Sequence, residues 1–421
     1  MLSYLLEYNR YLNIVGIAVV IGLGFLFSRK RSHIKWRLVA SALGLQFAIA
    51  ILVLKVNIGR RIVEAVAVGV SKIYQFADHG SRFIFGNLVD ADGAWGFIFA
   101  FKILPVIIFF GALTALLFHL RIVQFFVSLA ERCIRPLLKT SGAETLCAVA
   151  NSFLGQTEAP LLVKNYLRSM TKSELFVVMV SGMATISGAI LVVFAAMGVP
   201  ADHMLAASVM AIPASIMMAK ILYPETEKTE TAGDMNVNFE PQSKNALDAI
   251  SVGTSDGLRL AVNVAAMLIS FIALFALANY IIALFAIKIN VLLAAGGIGF
   301  QLPVMTLDVI FSYIFAPFAY LLGFTGSDAT AAGELLGIKV TVNELVAYSK
   351  MITLNLSERT KDIITYALCG FSNFSCIGIQ IGGIGALVPE KRRWLTELGL
   401  FAVLGSSMAN LLSALIAAFL I

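Results

Sequence analysis

The sequence predicts an all-α polytopic membrane protein with eight transmembrane helices, two opposed re-entrant hairpins and interfacial helices. Of the 421 residues, 59% are hydrophobic and only 13% are charged, and the mean hydropathy is +0.89. Soluble domains carry about 25% charged residues. Apolar runs long enough to cross a bilayer recur along the whole chain, and two further apolar segments are interrupted by polar residues.

The charged residues fit membrane topology better than nucleic-acid binding, although the net charge is +6. The basic residues lie in short clusters between apolar runs. The four cysteines and four histidines have no metal-ligand spacing, so we expect neither a disulfide framework nor a metal centre built from them. The opening residues, MLSYLLEYNRYLN, lack the basic start and cleavage site of a signal peptide, so we expect the first apolar run to be a retained helix.

Eight apolar runs reach the length of about 20 residues that a bilayer core of about 30 Å requires. Basic clusters at 29–37, 121–139 and 391–393 all lie on the cytoplasmic side if the first span enters from outside, and each later span then alternates consistently. Both termini are therefore expected to face outward. The predicted spans are residues 11–28, 38–58, 93–118, 175–199, 204–223, 257–286, 363–388 and 395–421.

Three segments between the spans differ from them in pattern. Residues 60–78 and 121–138 carry apolar and polar residues on opposite helical faces, which predicts interfacial helices, with ordinary soluble loop helices as the alternative. Residues 224–250 form a long polar stretch that we interpret as a cytoplasmic connector. The predicted divisions are scaffold helices (1–118), a first transport repeat (119–223), the connector (224–250), scaffold span 6 (251–302) and a second transport repeat (303–421).

Residues 140–171 and 303–357 are apolar but interrupted, and the topology requires each to enter and leave on the same side of the membrane. The first would dip from the cytoplasmic side and the second from the outer side. Irregular backbone at membrane depth survives only where it is buried in protein or lines a wet cavity. Each segment is therefore predicted to be a re-entrant hairpin that points toward the middle of the membrane.

Each predicted hairpin carries an acid within a polar motif, Glu158 in NSFLGQTEAP and Glu344 in NELVAY. Twenty-seven positions after these acids come Thr185 and Phe371, each in a polar, Gly-flanked break of an apolar run. Hairpin, acid, polar turn and broken helix thus occur twice. Secondary transporters build a midplane site from such an inverted repeat, and the alternative is a coincidence of common membrane residues.

A charged side chain at the bilayer centre costs at least about 2.5–3.5 kcal/mol, so the two acids need partners, water or a ligand. One alternative is that they pair with Lys164 and Lys339 as structural ion pairs. The other is a pocket for a neutral, polyhydroxylated or heterocyclic solute, because carboxylates suit vicinal hydroxyls and an amide suits the edge of a base. The other members of such a pocket would be Gln156, Thr157 and Asn373, with Phe371 able to stack on a ring.

The breaks also offer uncharged oxygen atoms to a cation. The side chain of Asn151 and the hydroxyl of Thr185, with carbonyls freed near Leu154 and Ile186, form a set that carries no net negative charge. Such a set favours weak binding of a monovalent ion, Na⁺ rather than Ca²⁺.

Four ordered motifs carry a resemblance to a known family: GQTEAP (155–160), SGMATISGAI (181–190), NELVAY (343–348) and ALCGFSNFSCIGIQIGG (367–383). With them the chain resembles the concentrative nucleoside transporters over nearly its whole length. The resemblance implies a homotrimer in which each protomer has a scaffold part and a mobile transport part. It also implies cation-coupled nucleoside uptake by an elevator-like movement, and we expect the bacterial inner membrane as the location.

The resemblance also implies a role for individual residues. The first hairpin would contact the nucleobase, with Ile190 and Phe371 near it, while Glu344 and Asn373 would hold the ribose hydroxyls. Cys376 stands where the family often has a serine that contacts ribose, and a thiol is a poorer donor and acceptor. The implied substrate residues are Gln156, Thr157, Glu158, Ile190, Glu344, Phe371, Asn373 and Cys376, and the implied sodium ligands are Asn151, Leu154, Thr185 and Ile186.

Sodium coupling is the leading hypothesis, because Thr157 and Asn151 match the sodium-dependent members of the family. Proton coupling, with Glu158 or Glu344 titrating, is the alternative. An intramembrane enzyme using these two acids on a lipid substrate lacks an accompanying His, Cys or Asp at motif spacing, and a passive channel would not need opposed hairpins. We therefore predict a transporter whose partners are a nucleoside and membrane lipid, with no nucleic acid.

Overall fold

The described part of the chain is built from α-helices and short 3-10 turns, without β-strands. In this computed structural model, the described residues are 2–90, 93, 95, 96, 98–229, 243–296 and 305–421. The helices before the connector are α1 (Leu2–Leu6), α2 (Arg10–Leu26), α3 (Trp36–Leu54), α4 (Asn57–Phe85), α5 (Phe99–Lys102), α6 (Leu104–His119), α7 (Ile122–Leu138), α8 (Gly142–Ala150), α9 (Ala159–Leu162), α10 (Lys164–Leu167), α11 (Lys172–Ala184), α12 (Gly188–Ala196) and α13 (Ala201–Leu222). Those after it are α14 (Ala246–Ala295), α15 (Leu307–Leu321), α16 (Gly326–Thr341), α17 (Glu344–Met351), α18 (Glu358–Leu368), α19 (Phe374–Leu387) and α20 (Arg392–Leu420).

Among the described residues, seven helices are long and apolar enough to cross a membrane, and an eighth results if one bent pair is counted. These seven correspond to seven of the eight predicted spans. The remaining predicted span, 363–388, is divided into α18 and α19 by an irregular segment at 369–373. The break that the glycines and polar residues predicted there is confirmed.

The centre of the molecule is formed by α13, α20 and the pair α11 and α12. In the most apolar 18-residue stretch of each segment, 89% of the residues of α13 and 83% of those of α11–α12 are buried. These helices are rich in Ala, Gly and Ser, small residues that let neighbouring backbones approach closely. By contrast, only 6% of the residues in the most apolar 18-residue stretch of α14 are buried.

Helix α14 lies at the periphery and packs mainly along α6. The two backbones cross closely at Gly257, where an added Cβ would lie 2.9 Å from the Cα of Ile108. Helix α14 is longer than the predicted span 257–286, because its polar first turns are already helical and begin at an N-cap formed by Asn245. Residues 230–242 of the predicted connector and residues 297–302 of the predicted scaffold division lie outside the described residues.

The two predicted interfacial helices differ in how well their bounds were predicted. Helix α7 spans almost the whole of 121–138. Helix α4 extends beyond 60–78 at both ends and packs against α3, α6, α12 and α13. Packing against these helices extends α4 beyond the amphipathic stripe at 60–78, so the pattern of apolar residues gave too short a helix.

The first predicted hairpin consists of α8, an irregular turn at 151–158, and the short helices α9 and α10. The second predicted segment, 303–357, contains three helices rather than two, although 303 and 304 lie outside the described residues. Helices α15 and α16 meet at an angle of 115°, and the turn between them uses Gly323 with a φ of +89°, a conformation that glycine adopts without steric cost. The hairpin itself is therefore α16 and α17, which follow this bend.

The two predicted repeats match in their helix caps as well as in their order. Thr171 caps α11 and Ser187 caps α12, while Ser357 caps α18 and Asn373 caps α19. Each cap in the second repeat lies 186 positions after its counterpart, the same separation that relates Glu158 to Glu344. This constant offset supports the inverted repeat that the two acids indicated.

Candidate functional site

The site residues lie where two broken helices pass each other. Helix α11 ends at Ala184 and α12 begins after Ser187, while α18 ends at Leu368 and α19 begins after Asn373. The side-chain amide of Asn410, in α20, donates to the carbonyls of Ala184 at 2.6 Å and Cys369 at 2.7 Å. One buried amide thus holds both breaks side by side.

A chain of polar contacts joins the two hairpins through the start of α19. The amide of Gln156, in the first hairpin, donates to the Sγ of Cys376 at 3.2 Å. The backbone N–H of Cys376 donates to the Oδ1 of Asn373 at 3.0 Å. The Nδ2 of Asn373 in turn donates to the carboxylate of Glu344, in the second hairpin, at 3.0 Å. The structure therefore brings these four predicted site residues together.

The turn of the first hairpin fits closely between α11 and α19 because both helices present glycine there. A Cβ added to Gly182 would lie 3.0 Å from the Cβ of Gln156, and one added to Gly383 would lie 2.6 Å from a methyl carbon of Thr157. Glu158 is exposed, and its carboxylate accepts a hydrogen bond from the backbone N–H of Gly155. The turn therefore fixes Gln156 and Thr157 by packing, while Glu158 faces open space.

The second hairpin presents its acid at a helix N-terminus. The Oδ1 of Asn343 caps α17 by accepting from the N–H of Val346 at 2.9 Å. Glu344 is the first residue of α17 and is only 6% exposed. A carboxylate at this position is stabilised by the positive end of the helix dipole.

The two apolar site residues lie at the edges of the breaks. Ile190 is buried in the first turn of α12, and its N–H donates to the cap oxygen of Ser187. Phe371 is half-buried within the irregular segment between α18 and α19. Both pack against the main apolar core.

The four residues predicted to bind sodium are buried and adjacent. The hydroxyl of Thr185 donates to the backbone carbonyl of Asn151 at 2.9 Å. The Nδ2 of Asn151 donates to the Oγ of Ser181 at 3.0 Å, whereas its Oδ1 is buried without a hydrogen-bond partner. Within the described residues, the carbonyls of Leu154 and Ile186 accept no backbone hydrogen bond. Carbonyl, amide and hydroxyl oxygens are ligands of hard cations, and a set of them without a carboxylate suits a monovalent ion.

The ion pairs proposed as the structural alternative are not formed. In the described part of the chain, neither Glu158 with Lys164 nor Glu344 with Lys339 approaches within 4.0 Å. Lys339 instead donates to neutral oxygen atoms. A group of three or more His, Cys, Asp and Glu side chains suited to a metal ion is also absent from the residues described.

A separate cavity of about 300 Å³ lies between α3, α4, α13 and α18. Its polar lining includes Lys55, Arg60 and His203. None of the predicted site residues lines it, so the hydrogen-bonding chain between the hairpins remains the candidate site.

Four polar residues of the site were not predicted to belong to it. Ser181 and Gln380 lie on the inner faces of α11 and α19, and Gln380 donates to the carbonyl of Met179 at 3.0 Å. Lys339 and Asn410 connect the second hairpin to the broken helices. For Gln380, Lys339 and Asn410 the available signal was a lone amide or cation within an apolar run, which in membrane helices indicates a functional or structural polar contact.

The arrangement is suited to hydrogen bonding with a neutral solute. The Oε1 atoms of Gln156 and Gln380 are buried without hydrogen-bond partners, so each leaves an acceptor available to a ligand N–H or O–H. Glu344 adds a carboxylate and Asn373 adds an amide. Two hairpins joined by polar contacts at two broken helices are the arrangement from which secondary transporters build a substrate site, and they define this class of protein.

Comparison with known proteins identifies the family. Residues 15–88 and 203–418 match the families described as Na⁺ dependent nucleoside transporter N-terminus and C-terminus, and residues 100–201 match one described as nucleoside recognition. The chain is 38% identical to the nucleoside permease NupC of Helicobacter pylori over 98% of both chains, and 42% identical to an uncharacterized transporter of Haemophilus influenzae over 97% of both. A structure of CNTnw in an inward-facing substrate-bound state is 37% identical, with a TM-score of 0.88 over 97% of this chain and 98% of that one.

The chain belongs to the family of Na⁺-dependent, concentrative nucleoside transporters. Its fold is that of CNTnw, and its relatives are transporters rather than enzymes. The bacterial permeases among its relatives and the apolar helices indicate a multi-pass protein of the inner membrane.

Proposed function

We propose that this protein is a sodium-coupled symporter that takes up nucleosides. The observation that carries the proposal is the contact chain from Gln156 through Cys376 and Asn373 to Glu344. It joins two hairpins that belong to opposite repeats, so one solute bound at the start of α19 can touch both. The family to which the chain belongs, and the nucleoside permease among its relatives, support a nucleoside as that solute.

The polar groups divide between the two parts of a nucleoside. The amide of Gln156 has an unpartnered Oε1 and supplies acceptor and donor atoms to a nucleobase edge, with Thr157 and Glu158 beside it. Glu344 and Asn373 are paired with each other and supply a carboxylate and an amide to vicinal ribose hydroxyls. Ile190 and Phe371 provide apolar contact for the base. Cys376 completes the set next to the ribose.

Sodium binding is proposed at Asn151, Thr185 and the carbonyls of Leu154 and Ile186. This set joins the first hairpin to the break between α11 and α12, and Asn151 lies five residues before Gln156. A cation there would hold the turn of the hairpin in the position that Gln156 needs. Sodium therefore binds first and makes the nucleoside site complete, which couples the two solutes.

Transport is proposed to occur by an elevator-like movement of both hairpins and the broken helices past a scaffold that includes α6 and α14. Structures of CNTnw have been obtained in inward-facing, intermediate and outward-facing states. The exposed apolar surface of α14 is available to lipid and to other copies of the chain in a homotrimer.

The deciding experiment is uptake of labelled uridine into proteoliposomes in which Na⁺ and pH gradients are imposed separately. We expect accumulation driven by Na⁺ at constant pH, with recovery of chemically unchanged uridine. Accumulation driven by pH and indifferent to Na⁺ would replace sodium with proton coupling. Flux without accumulation would indicate a channel, and competition by other nucleosides would define the preferred base.

A further inference from the structure

Lys339 is a buried basic residue for which the proposed transport cycle has no role. It lies in α16, the first arm of the second hairpin, and is only 2% exposed. Its Nζ donates to the carbonyl of Ala367 at 2.6 Å and to the Oδ1 of Asn410 at 2.7 Å. Both acceptors are neutral, so the lysine is not neutralised by an acid within ion-pair distance among the described residues.

The acceptors of Lys339 lie at the end of a half-helix. Ala367 is in the last turn of α18, where helix carbonyls lack partners within the helix and carry partial negative charge. A second donor from the same hairpin reaches this turn, since the hydroxyl of Tyr348 donates to the carbonyl of Thr365 at 2.9 Å. A cation at this position therefore both satisfies the free carbonyl of Ala367 and anchors the hairpin.

The first repeat has a corresponding contact between its hairpin and its broken helix. There, Asn151 donates to Ser181 of α11, and Ser181 lies 186 positions before Ala367, which is the offset that relates the caps of the two repeats. In the first repeat the buried Oδ1 of Asn151 has no donor. In the second repeat the turn at Ala367 is contacted by the ammonium-bearing side chain of Lys339, which at the same offset corresponds to Phe153, between the proposed sodium ligands Asn151 and Leu154.

We propose that the ammonium group of Lys339 is a built-in cation of the second repeat, holding the second hairpin against the end of α18 at the counterpart of the sodium site in the first repeat. Lys339 is then a positioning residue for Glu344, which lies five residues further along the same hairpin. The assignment to nucleoside binding rests on the proposed function, whereas the cation contact at α18 does not.

The test uses the full-length protein in detergent with two variants. In Lys339→Met the side-chain volume is kept but the charge and donors are lost, and we expect uridine affinity to fall about tenfold or more, the usual effect of losing a charged hydrogen bond in a buried place. In Lys339→Ala the missing atoms correspond to n-propylammonium. We expect this ion to restore uridine affinity and raise the unfolding temperature of that variant, with no effect on the wild type.

Tetramethylammonium at the same concentration is the control for charge alone, because it cannot donate a hydrogen bond. Lys350→Met is the control for a lysine on the same hairpin that is paired with Glu334, and its uridine affinity should be unchanged. Wild-type affinity in Lys339→Met, or equal recovery with both ions, would overturn the proposal. If the wild type binds no uridine, the proposed function fails, and the unfolding temperature of Lys339→Ala with propylammonium still decides the role of the lysine.

Discussion

The side-chain amide of Asn373 donates to the carboxylate of Glu344 at 3.0 Å, although the two residues lie 29 positions apart and in different elements. Asn373 caps α19, and Glu344 begins α17. The bond therefore fixes the second hairpin to the broken helix at the point where both present polar groups. The first prediction concerns this pair.

Replacing Glu344 with Gln should abolish measurable uridine uptake. The change removes the negative charge that would accept two hydroxyl hydrogen bonds, and charged hydrogen bonds contribute about 1.5–3 kcal/mol each. Uptake by proteoliposomes and uridine binding in detergent both measure the effect. Glu358→Gln is the matched control, because this acid is 86% exposed and should be replaceable without loss. Near-normal uptake by Glu344→Gln would show that the carboxylate does not hold the sugar.

Replacing Cys376 with Ser should preserve transport and tighten nucleoside binding by a few-fold. The Sγ accepts the amide of Gln156 at 3.2 Å, and a hydroxyl oxygen is a better acceptor and donor at this position. Binding constants for uridine and for 2′-deoxyuridine separate an effect on the ribose from a general one. Cys133→Ser, at an exposed cysteine of α7, serves as the comparison. Complete loss of uptake would mean that the thiol has another role.

Replacing Thr185 with Val should raise the Na⁺ concentration for half-maximal uptake by about tenfold. The substitution keeps the shape of the side chain but removes the hydroxyl that lies against Asn151 and Ser181. Uptake is measured as a function of Na⁺ at saturating uridine. Ser152→Ala removes a hydroxyl of the first hairpin that donates to the carbonyl of Ser208 instead, and its Na⁺ dependence should be unchanged. An unchanged Na⁺ requirement in Thr185→Val would exclude this residue from the cation site.

Replacing Asn410 with Leu should destabilise the protein by about 3 kcal/mol or more, because several buried groups lose their partner at once. Asn410 donates to two backbone carbonyls and accepts from Lys339 and Ser372. Thermal unfolding in detergent measures the loss. Ser407→Ala, on the same helix, removes a buried hydroxyl that has no hydrogen-bond partner, and it should leave the unfolding temperature unchanged or raise it. A small effect in Asn410→Leu would show that the two breaks hold together without the amide.

The pH dependence of stability should include a contribution from Glu225, which follows α13. Burial raises the pKa of this carboxyl, but attraction to Lys220 and a hydrogen bond from Thr171 outweigh it, so the pKa is lowered overall. A lowered folded-state pKa gives stabilisation that is present above the unfolded value of about 4.3 and is lost as the pH falls through the folded value. Glu225→Gln should therefore lower the unfolding temperature at pH 7 and lose this deficit under acid conditions. An equal deficit at both pH values would show that the charge is not responsible.

The breaks and their polar residues were predictable from the sequence because their signals are local. Thr185 and Asn373 stand in short polar, Gly-flanked interruptions of apolar runs. A charged Glu344 at membrane depth costs free energy unless it has a partner or a ligand. The partners of Lys339 were not predictable, because Asn410 is 71 positions away and nothing local relates the two residues. The sequence therefore predicted which residues are unusual but not which of them meet.

The predicted helix boundaries were wrong where tertiary packing or helix capping determines the ends of the helix. The polar start of α14 has low hydropathy and was placed outside the span, yet the Asn245 cap and the contact with α6 make it helical. Helix α15 was included in the second hairpin, because a bend of 115° at a glycine turn cannot be distinguished from a re-entrant tip by apolar pattern alone.

The length of α14 has a consequence for the surrounding lipid. Its 50 residues extend about 75 Å at 1.5 Å per residue, more than twice the thickness of about 30 Å of a hydrocarbon layer. Such a rod must lean steeply or project into water at its ends. The length of the lipid acyl chains would then alter the tilt of α14. Because α6 packs against α14 at Gly257, thicker or thinner bilayers should change the transport rate of an otherwise unaltered protein.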